Sequence, residues 1–581
     1  MDMVLSFHIV YVEDDMFIRK MKRKNGEVSI VLVEGYRVNG KVKQRTIKYL
    51  GTESSLIKDD PLAIEKLIEK YKKLPHADST IELVLQLSEK IPENNCILNY
   101  GYFWIEKFYN DLGLDGLLSS NDGKKQYNLN KITKFMVYSR CLYPGSRLDN
   151  YLHQDRFFES YEFELQQLYK SLTDLNNIKD KVIDTCHTNL CNKYNRDTSL
   201  LYYDVTNYFF EIDDEDKLRK RGVSKENRLS PIIQMGLFID RLGLPVDFYL
   251  FPGNTPDCIT LKPSFEKIKN KYKSEKVIIT ADKGLNSNSN IGYILSSNNG
   301  YIISQRIRGA SSELRSKVLE EQGWIIPNES CKFKEFIREI KVKYPDNTVH
   351  IHKQKVVCIW SQKYWLKENS DREHLLDYII KLASNPTKFK QKCHLGSKKY
   401  IDETIVDKKT LQKIDSAKIL TSINSDKIAQ DYDLDGYYLI VTSEINLSIP
   451  EIIKKYRGLW RIEESFRITK SDLSTRPVYV QTQEHIIGHF LICFLSLLIL
   501  RMIELKLNNK YSVSKIRKAL HSAQCSRIGK AVYALNKRHE AFVELETIYD
   551  CLINQHYIKE EDLRTYYKKV LKNIYTTSQN K

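Results

Sequence analysis

The sequence predicts an α/β protein built on a mixed sheet, from three observations. Between Leu200 and Gly253, three runs with the period of a strand are joined by short connections, which is typical of an antiparallel meander. A helical stretch at Thr260–Lys273 then leads to KVIITADKG, an apolar run of the kind buried on both faces of a sheet. Another strand pattern, GYYLIVTS, begins at Gly436, so an insertion interrupts this core.

Length and composition indicate a soluble, multidomain protein with a polyanionic partner. At 581 residues the chain exceeds a single core, and about two to four domains are expected. The 91 Lys and Arg against 74 Asp and Glu give a formal charge of +17, which favours nucleic acid as the partner over a membrane. The first residues lack the basic segment of a secretory signal, and scattered cysteines suit a reducing cytoplasm.

Six segments follow from the pattern along the chain. In order, these are a basic β segment with a helix (1–95), an all-helical domain (96–195), the first part of the core (196–305), an insertion containing strands and three tryptophans (306–436), the second part of the core (437–505) and a basic helical C-terminal region (506–581). His485–Leu500 is shorter than the roughly 20 apolar residues of a membrane span, so a buried core helix is predicted there.

The first segment has the form of a basic hairpin. Ten Lys or Arg and only two acids lie between Arg19 and Lys48, and Asn39-Gly40 has the composition of a hairpin turn. A hairpin that contacts DNA and one that is simply solvated are both compatible with this pattern. The spacing of Cys186 and Cys191 lacks the second half that a zinc site needs.

Asp204 stands in the middle of LLYYDVTNYFF, where aspartate is depleted and β-branched and aromatic residues are favoured. Asp282 poses a similar question at the carboxyl end of a buried strand, where open α/β sheets place their sites. Taken singly, Asp204 could face solvent on an edge strand, and Asp282 could be a turn residue or helix cap.

A helix with two misplaced charges adds a third candidate. Ser448 and Glu451 match a capping box, which predicts a helix start. Stepping by four and three, the inward stripe of this helix contains these residues: Ile452, Tyr456, Leu459, Glu463, Phe466 and Lys470. Glu463 could pair with Lys470 or an arginine, because a buried, unpaired carboxylate costs several kcal/mol.

The three carboxylates have a common solution if Asp204, Asp282 and Glu463 converge. Oxygen ligands with open coordination positions suit Mg²⁺. Two such ions stabilise the attacking and leaving oxygens of an in-line displacement at phosphorus, which is the chemistry of nucleases and transposases.

Several motifs carry a family resemblance. YYDVTNYFFE, GVSKENRLSPIIQMGLFIDRLGLPVDFYLFPGNTPD, ITADKG and YRGLWRIEESFRITKSDLSTRPVYV closely resemble DDE transposases of the insertion-sequence-4 superfamily, in particular its 1634-type subgroup. The likeness extends to VEGYRVNGKVKQRTIKYLG and HIIGHFLICFLSLLIL, and thus covers most of the chain.

The resemblance implies an RNase H-like catalytic core in which Asp204, Asp282 and Glu463 bind two Mg²⁺ or Mn²⁺ ions. By motif, Tyr456 and Lys470 match further signature positions that contact DNA, although core packing is nearly as plausible for Tyr456.

One signature position departs from the family. Leu459 stands where the wider superfamily has arginine. Three arginines could take over that role: Arg457, Arg461 and Arg467.

The resemblance further implies cleavage at terminal inverted repeats followed by strand transfer to target DNA, by a homodimeric synaptic complex in the bacterial cytoplasm at the nucleoid. Two alternatives remain at this point: a metal-dependent nuclease of the same fold without strand transfer, and a DNA-binding protein that no longer catalyses. Trp324, Trp360 and Trp365 of the insertion could stack a flipped base, although core packing is the simpler reading of each.

Overall fold

The computed structural model describes residues 16–22, 27–38, 41–72, 97–120, 126–226, 228–272, 276–383, 400–406, 418–528 and 531–572. The chain forms two compact units. One comprises Met1–Cys96 with Arg527–Tyr533, and the other comprises Ile97–Ser526 with Ala534–Lys581.

The smaller unit contains a three-stranded antiparallel sheet and two helices: β1 (Met16–Lys22), β2 (Val28–Val38), β3 (Lys41–Thr52), α1 (Glu53–Asp59) and α2 (Ala63–Lys72). Val38 pairs with Lys41, so β2 and β3 form the predicted hairpin. The turn residues Asn39-Gly40 and the first 15 residues lie outside the described part of the chain. Burial of the VSIVLV run on β2 supplies the core of this sheet.

The larger unit begins with a short strand, β4 (Ile97–Asn99), and then helices. These are α3 (Tyr102–Asp111), α4 (Leu114–Ser120), α5 (Leu129–Leu142), α6 (Arg147–Leu152), α7 (Leu165–Asn177) and α8 (Lys179–Tyr194). Aromatic side chains such as Trp104, Phe108 and Phe135 are fully buried, as the predicted helical spacing requires.

A nine-stranded mixed sheet forms the centre of the larger unit. Its first five strands and two helices, in chain order, are β5 (Leu200–Phe209), β6 (Ile232–Asp240), β7 (Pro245–Pro252), α9 (Asp257–Tyr272), β8 (Ile278–Ala281), α10 (Asn288–Ser296) and β9 (Gly300–Gln305). β5, β6 and β7 are antiparallel, and β8 runs parallel to both β5 and β9. The predicted meander, crossover helix and mixed sheet are confirmed.

The predicted insertion does not fold apart from this sheet. Its elements are α11 (Ser312–Leu319), β10 (Ile325–Asn328), β11 (Cys331–Lys343), β12 (Val349–Ser361), α12 (Gln362–Ala383), β13 (Ile401–Val406), β14 (Lys418–Ile423) and α13 (Ser425–Asp433). Together with β15 (Tyr437–Thr442), three of these strands extend the sheet, in the order β10-β11-β12-β15-β9-β8-β5-β6-β7. β13 and β14 form a separate hairpin.

The two faces of the sheet bury different residue sets, as the alternation of side chains along a strand requires. Leu201, Tyr203 and Val205 of β5 belong to the core on one face, together with residues of α9 and α10. On the opposite face, Ile302 of β9 packs with Ile452 of the helix that follows β15. Asp204 has the parity of this second face.

The helix after β15 is divided where one continuous helix is predicted. α14 (Ile449–Arg457) begins at the predicted capping box, α15 (Trp460–Arg467) follows, and Ile468–Asp472 forms a π-helical turn. At the junction the backbone hydrogen bonds span three residues instead of four; the Leu459 amide, for example, donates to the Tyr456 carbonyl. A Cβ on Gly458 would lie 2.0 Å from the Tyr202 hydroxyl, so only glycine lets the helix approach β5 this closely.

This division corrects the predicted stripe. Ile452, Leu459 and Phe466 are buried, but Glu463 is exposed and Lys470 is half-buried. A stripe read at a constant 3.6-residue period does not allow for the tighter turn at Gly458 or the wider one at Ile468–Asp472.

The apolar segment near residue 490 is a core helix, as predicted. α16 (Gln483–Lys506) is long and apolar enough to cross a membrane, but its apolar window is 94% buried inside the structure. It packs on α5 and α7.

The C-terminal region contains strands as well as helices, unlike the all-helical expectation. Its elements are α17 (Val513–Ser522), β16 (Gln524–Ile528), β17 (Val532–Leu535), α18 (Glu540–Ile548), β18 (Tyr557–Lys559) and α19 (Glu560–Lys572). The three strands form a sheet with β4, in the order β18-β17-β16-β4. Runs of three to five residues are too short for an alternating pattern to identify them.

Candidate active site

Asp204 and Asp282 lie side by side on neighbouring strands. β5 and β8 are parallel, with Leu200 opposite Ile278 and Tyr202 opposite Thr280. Two residues further along this register are Asp204 and Asp282. Because adjacent strands lie about 4.8 Å apart, the two carboxylates are neighbours on one face of the sheet.

The Asp204 carboxyl is half-buried and accepts a hydrogen bond from the Val205 amide, at 2.7 Å from Oδ1. Burial raises the pKa of Asp204 to about 6. The Lys225 ammonium and the Val205 amide oppose this rise, whereas the charges of Asp282 and Asp257 add to it. The charge of Asp282 thus disfavours ionisation of Asp204, and the two side chains concentrate negative charge at this edge of the sheet.

Asp282 follows β8 and is oriented by β9. The Ser304 hydroxyl donates to Asp282 Oδ1 at 3.0 Å, and the Tyr456 hydroxyl lies close enough to Ser304 to affect its own pKa. Burial raises the pKa of Tyr456 to about 12, and the charges of both Asp282 and Glu463 contribute to this rise. Tyr456 therefore lies near both carboxylates and links the sheet to the helical segment.

Glu463 and Asp282 line one cavity of about 880 Å³. The cavity is walled by the ends of β8 and β9, by β15, by the start of α12 and by the junction of α14 and α15. Leu459 contributes an apolar side chain where the family signature has arginine. Trp460, which is 54% exposed, lines the cavity from the same junction.

Six basic side chains line the same cavity: Lys283, Arg306, Arg308, Lys363, Lys367 and Arg457. Arg308 is engaged in ion pairs with Glu368, Asp431 and Asp435. The other five are exposed and outnumber the cavity's acids, so the walls attract polyanions.

The predicted DNA contacts divide into two groups. Arg457 lines the cavity and is hydrogen-bonded to Tyr438. Arg461 does not line the cavity; its guanidinium donates to the Arg241 carbonyl at 2.7 Å. Arg467 pairs with Asp472 at 3.0 Å, again outside the cavity lining.

Lys470 does not line the cavity but lies close enough to Asp204 for their charges to interact. Its Nζ is 3.5 Å from Glu226 Oε1 and 5.6 Å from the centre of the Tyr208 ring. Burial and the nearby Lys225 lower the pKa of Lys470 to about 8, and the Asp204 charge partly opposes them. Lys470 and Asp204 are thus electrostatic neighbours.

Sequence reasoning misses Lys225. Its ammonium donates to the carbonyl of Val205 and lies 3.9 Å from Asp257 Oδ2. It comes from the loop between β5 and β6, where the run KENR has no period that singles it out. The insertion tryptophans, in contrast, are all absent from the cavity lining; for example, Trp324 donates to the Glu320 carbonyl.

A divalent cation fits part of this site. Carboxylate oxygens are the preferred ligands of Mg²⁺ and Mn²⁺. The positive charge of such an ion would offset the negative charge of the half-buried Asp204 and Asp282 side chains. Within the described ranges, no group of three Asp, Glu, His or Cys side chains is close enough to hold a metal. Glu463 shares the cavity with Asp282 without closing a three-ligand set.

Two family models match the chain. One, described as IS1634 family transposase, N-terminal domain, matches residues 18–78. The other, described as Transposase DDE domain, matches residues 209–499, which is half of the chain. This chain is a DDE transposase of the IS1634 type. The transposase acts on DNA, in agreement with its basic cavity.

Other comparisons are weaker. A solved piggyBac transposase synaptic complex with hairpin DNA aligns with a TM-score of 0.34 and 9% identity, over 82% of this transposase and 87% of that chain. Similarity at this level carries no residue assignment. No curated protein matches the transposase. Within the DDE match lie Asp282 and Glu463, whereas Asp204 precedes its first residue by five positions.

Proposed function

We propose that this transposase uses water to hydrolyse a phosphodiester at the terminal inverted repeats of its element. The freed 3′-OH then attacks a phosphodiester of target DNA at the same site, which joins the strands and releases a 3′-OH of the target. The observation that supports this most is the register of β5 and β8, whose continuation brings Asp204 next to Asp282, a residue that lines the basic cavity together with Glu463. Three antiparallel strands followed by two parallel ones are also consistent with an RNase H-like core.

Asp204, Asp282 and Glu463 would hold two Mg²⁺ or Mn²⁺ ions. When bound, such ions lower the pKa of a coordinated water and balance the charge that develops on the leaving oxygen. The protein's part is to hold the carboxylates in place. Ser304 orients Asp282, and the Val205 amide orients Asp204.

The DNA backbone would lie along the basic wall of the cavity. Lys363 and Lys367 are one helical turn apart at the start of α12, so both ammonium groups can reach phosphates of one strand. Arg457, the last residue of α14, lines the same cavity. The exposed Trp460 ring offers a surface on which a base leaving the duplex can stack.

A matched pair of neighbouring glutamates tests the assignment. Glu463→Gln removes a carboxylate from the cavity wall, whereas Glu464→Gln changes the next residue of α15, whose Oε2 accepts from Arg501 at 2.9 Å. With labelled terminal-repeat DNA and a titration of Mg²⁺ or Mn²⁺, Glu463→Gln should abolish cleavage and keep DNA binding. Glu464→Gln should retain cleavage. Metal-dependent cleavage by Glu463→Gln would reject the assignment.

The same reactions separate transposition from simple nuclease activity. Wild-type protein given terminal-repeat DNA with a free 3′-OH and a target plasmid should yield joined products. Cleaved ends without joining would instead indicate the nuclease reading.

Two element ends require two active sites, so we expect a homodimer on paired ends. Sedimentation with and without terminal-repeat DNA measures this, and a monomer on paired ends would contradict it. Arg461 and Arg467 remain predicted DNA contacts outside the cavity, and a nucleoid location in the bacterial cytoplasm remains a prediction.

A further inference from the structure

Two arginines are buried together in the helical part of the larger unit. Arg140 on α5 is 2% exposed and Arg147, the first residue of α6, is 5% exposed. The charge of Arg140 is close enough to lower the pKa of Arg147, which burial brings to about 9. Among the described residues, the groups that affect the pKa of Arg147 are Arg140, Cys493 and Tyr169, and none of these is a carboxylate.

Only some of the N–H groups of these two arginines donate hydrogen bonds to protein acceptors. Arg140 Nη1 donates to the carbonyls of Leu473 and Ser474, at 3.0 and 3.1 Å. Arg147 Nη2 lies 3.4 Å from His489 Nδ1, and His489 Nε2 lies 3.4 Å from the Thr475 carbonyl. Both contacts of His489 are satisfied by the neutral imidazole with its proton on Nε2.

Four buried polar atoms in this cluster have no hydrogen-bond partner among the residues that the structure describes: Arg140 Nε, Arg147 Nε, Arg147 Nη1 and Thr475 Oγ1. Three of them can only donate, and the hydroxyl of Thr475 can also donate. A water molecule could accept from these donors and donate to the second lone pair of a neighbouring carbonyl, but it would leave the two guanidinium charges without a counter-charge. An anion accepts from the same donors and also balances the two buried positive charges, so it suits the cluster better than water.

We propose that Arg140, Arg147 and Thr475 enclose a binding site for a small inorganic anion of the size of chloride. The surroundings are too buried for the phosphate of a DNA strand, since Thr475 is fully buried and neither arginine is more than 5% exposed. The anion balances the two guanidinium charges and holds the segment Leu473–Thr475 against α5, α6 and α16.

This segment follows directly on the π-helical turn that carries Lys470, so the anion stabilises the chain that continues from α15. The site does not depend on the proposed cleavage chemistry, and its tests measure binding and stability alone.

Bromide, which replaces chloride and scatters anomalously, tests the site directly. Crystals of the full-length wild-type protein grown in sodium bromide should show an anomalous peak between Arg140 Nε, Arg147 Nη1 and Thr475 Oγ1. Bromide bound at the protein surface serves as the positive control. If surface bromides are present and this position holds no peak, the proposal is wrong.

Thermal unfolding tests it in solution. At constant ionic strength, with gluconate as the balancing anion, a hundredfold rise in chloride should raise the Tm of the wild-type protein by about 2–3 °C. Arg147→Met should lose this dependence, whereas Arg564→Met, which removes a 72% exposed arginine, should keep it. Should Arg147→Met not fold, Thr475→Val serves instead, because it removes only the hydroxyl. An equal chloride dependence in wild-type, Thr475→Val and Arg564→Met proteins would overturn the proposal.

Discussion

The junction between α14 and α15 permits a sharp test of how the helix positions Glu463. In Gly458→Ala, the new Cβ would lie 2.0 Å from Tyr202 Oη, 2.4 Å from Cζ and 2.9 Å from Cε1. Ordinary contact begins at 3.4 Å, so the two groups must separate by about 1.4 Å, the difference between 3.4 and 2.0 Å. Tyr202 is 2% exposed and belongs to the central strand β5, so the helical segment must take up much of the shift.

A displacement of this size would move those residues of the helical segment that line the cavity. A misplacement of 1 Å can cost about 100-fold in rate, and overpacking of a core costs about 1–3 kcal/mol in stability. We therefore expect Gly458→Ala to reduce metal-dependent cleavage of terminal-repeat DNA about 100-fold. DNA binding, measured by fluorescence anisotropy, should change much less, because the basic residues of α12 are not moved.

Two further variants identify the cause. Gly284→Ala lies two residues after Asp282, and its Cβ would meet nothing within 4 Å, so it should cleave normally. Adding Tyr202→Leu to Gly458→Ala removes the three clashing atoms and should restore part of the activity. Wild-type cleavage by Gly458→Ala, or a double variant no better than the single one, would refute the reasoning.

Three other predictions concern separate contacts. Ser304→Ala removes the hydrogen bond to Asp282 and should raise the metal concentration for half-maximal cleavage about 10–100-fold, without weakening DNA binding. The double change of Lys363 and Lys367 to Ala should weaken binding equally for different DNA sequences and lower the slope of log K against log salt by about 2; an unchanged slope would place these lysines away from DNA. Burial with two arginines lowers the pKa of His489 well below 6.5, so the folded state excludes a proton that the unfolded state takes up. The contribution of His489 to the stability of the protein is therefore full above pH 6.5, and the free energy of unfolding should fall by about 1.4 kcal/mol for each pH unit below 6.5. In urea unfolding at pH 7.5 and 5.5, His489→Gln should lose less stability between the two pH values than the wild-type protein.

The sequence predicts the strands that carry the aspartates but not their alignment. The alternation of residues within each segment identifies it as a strand, so the position of Asp204 within a strand follows from local residues. Its pairing with Asp282 depends on which strands are neighbours across 78 residues of chain, and no local pattern encodes that. In the structure the same offset of 78 separates Leu200 from Ile278, so the two aspartates share one register.

The helix shows the opposite limit. Its capping box, with Ser448 and Glu451, is local chemistry and identifies the first residue correctly. The path beyond Gly458 depends on Tyr202 of a distant strand, and a constant helical period therefore places Glu463 in the core when it is exposed. The charged residue that looked buried is instead free to face a ligand.

The basic wall could not be derived from sequence for a related reason. Lys363 and Lys367 belong to a segment whose sequence pattern predicts an insertion, and only the pairing of β12 with β15 brings the start of α12 to the cavity. Lys225 reaches Asp204 from a loop without regular period. Net charge predicts a polyanionic partner, but the position of the charges is a property of the tertiary fold.

The charges of the site separate DNA binding from catalysis. The exposed lysines and arginines attract the backbone, while the Asp204–Asp282 pair repels any phosphate that approaches it. Without divalent cations, DNA can therefore lie on the basic wall with its phosphates held away from the carboxylates. In the proposed function, cations held by the aspartates would reverse the local sign of the charge, and a phosphate could then approach. Neutralising Asp282 would also admit the phosphate but would leave no ligand for the metal, which is why loss of a carboxylate is expected to impair cleavage while binding is retained.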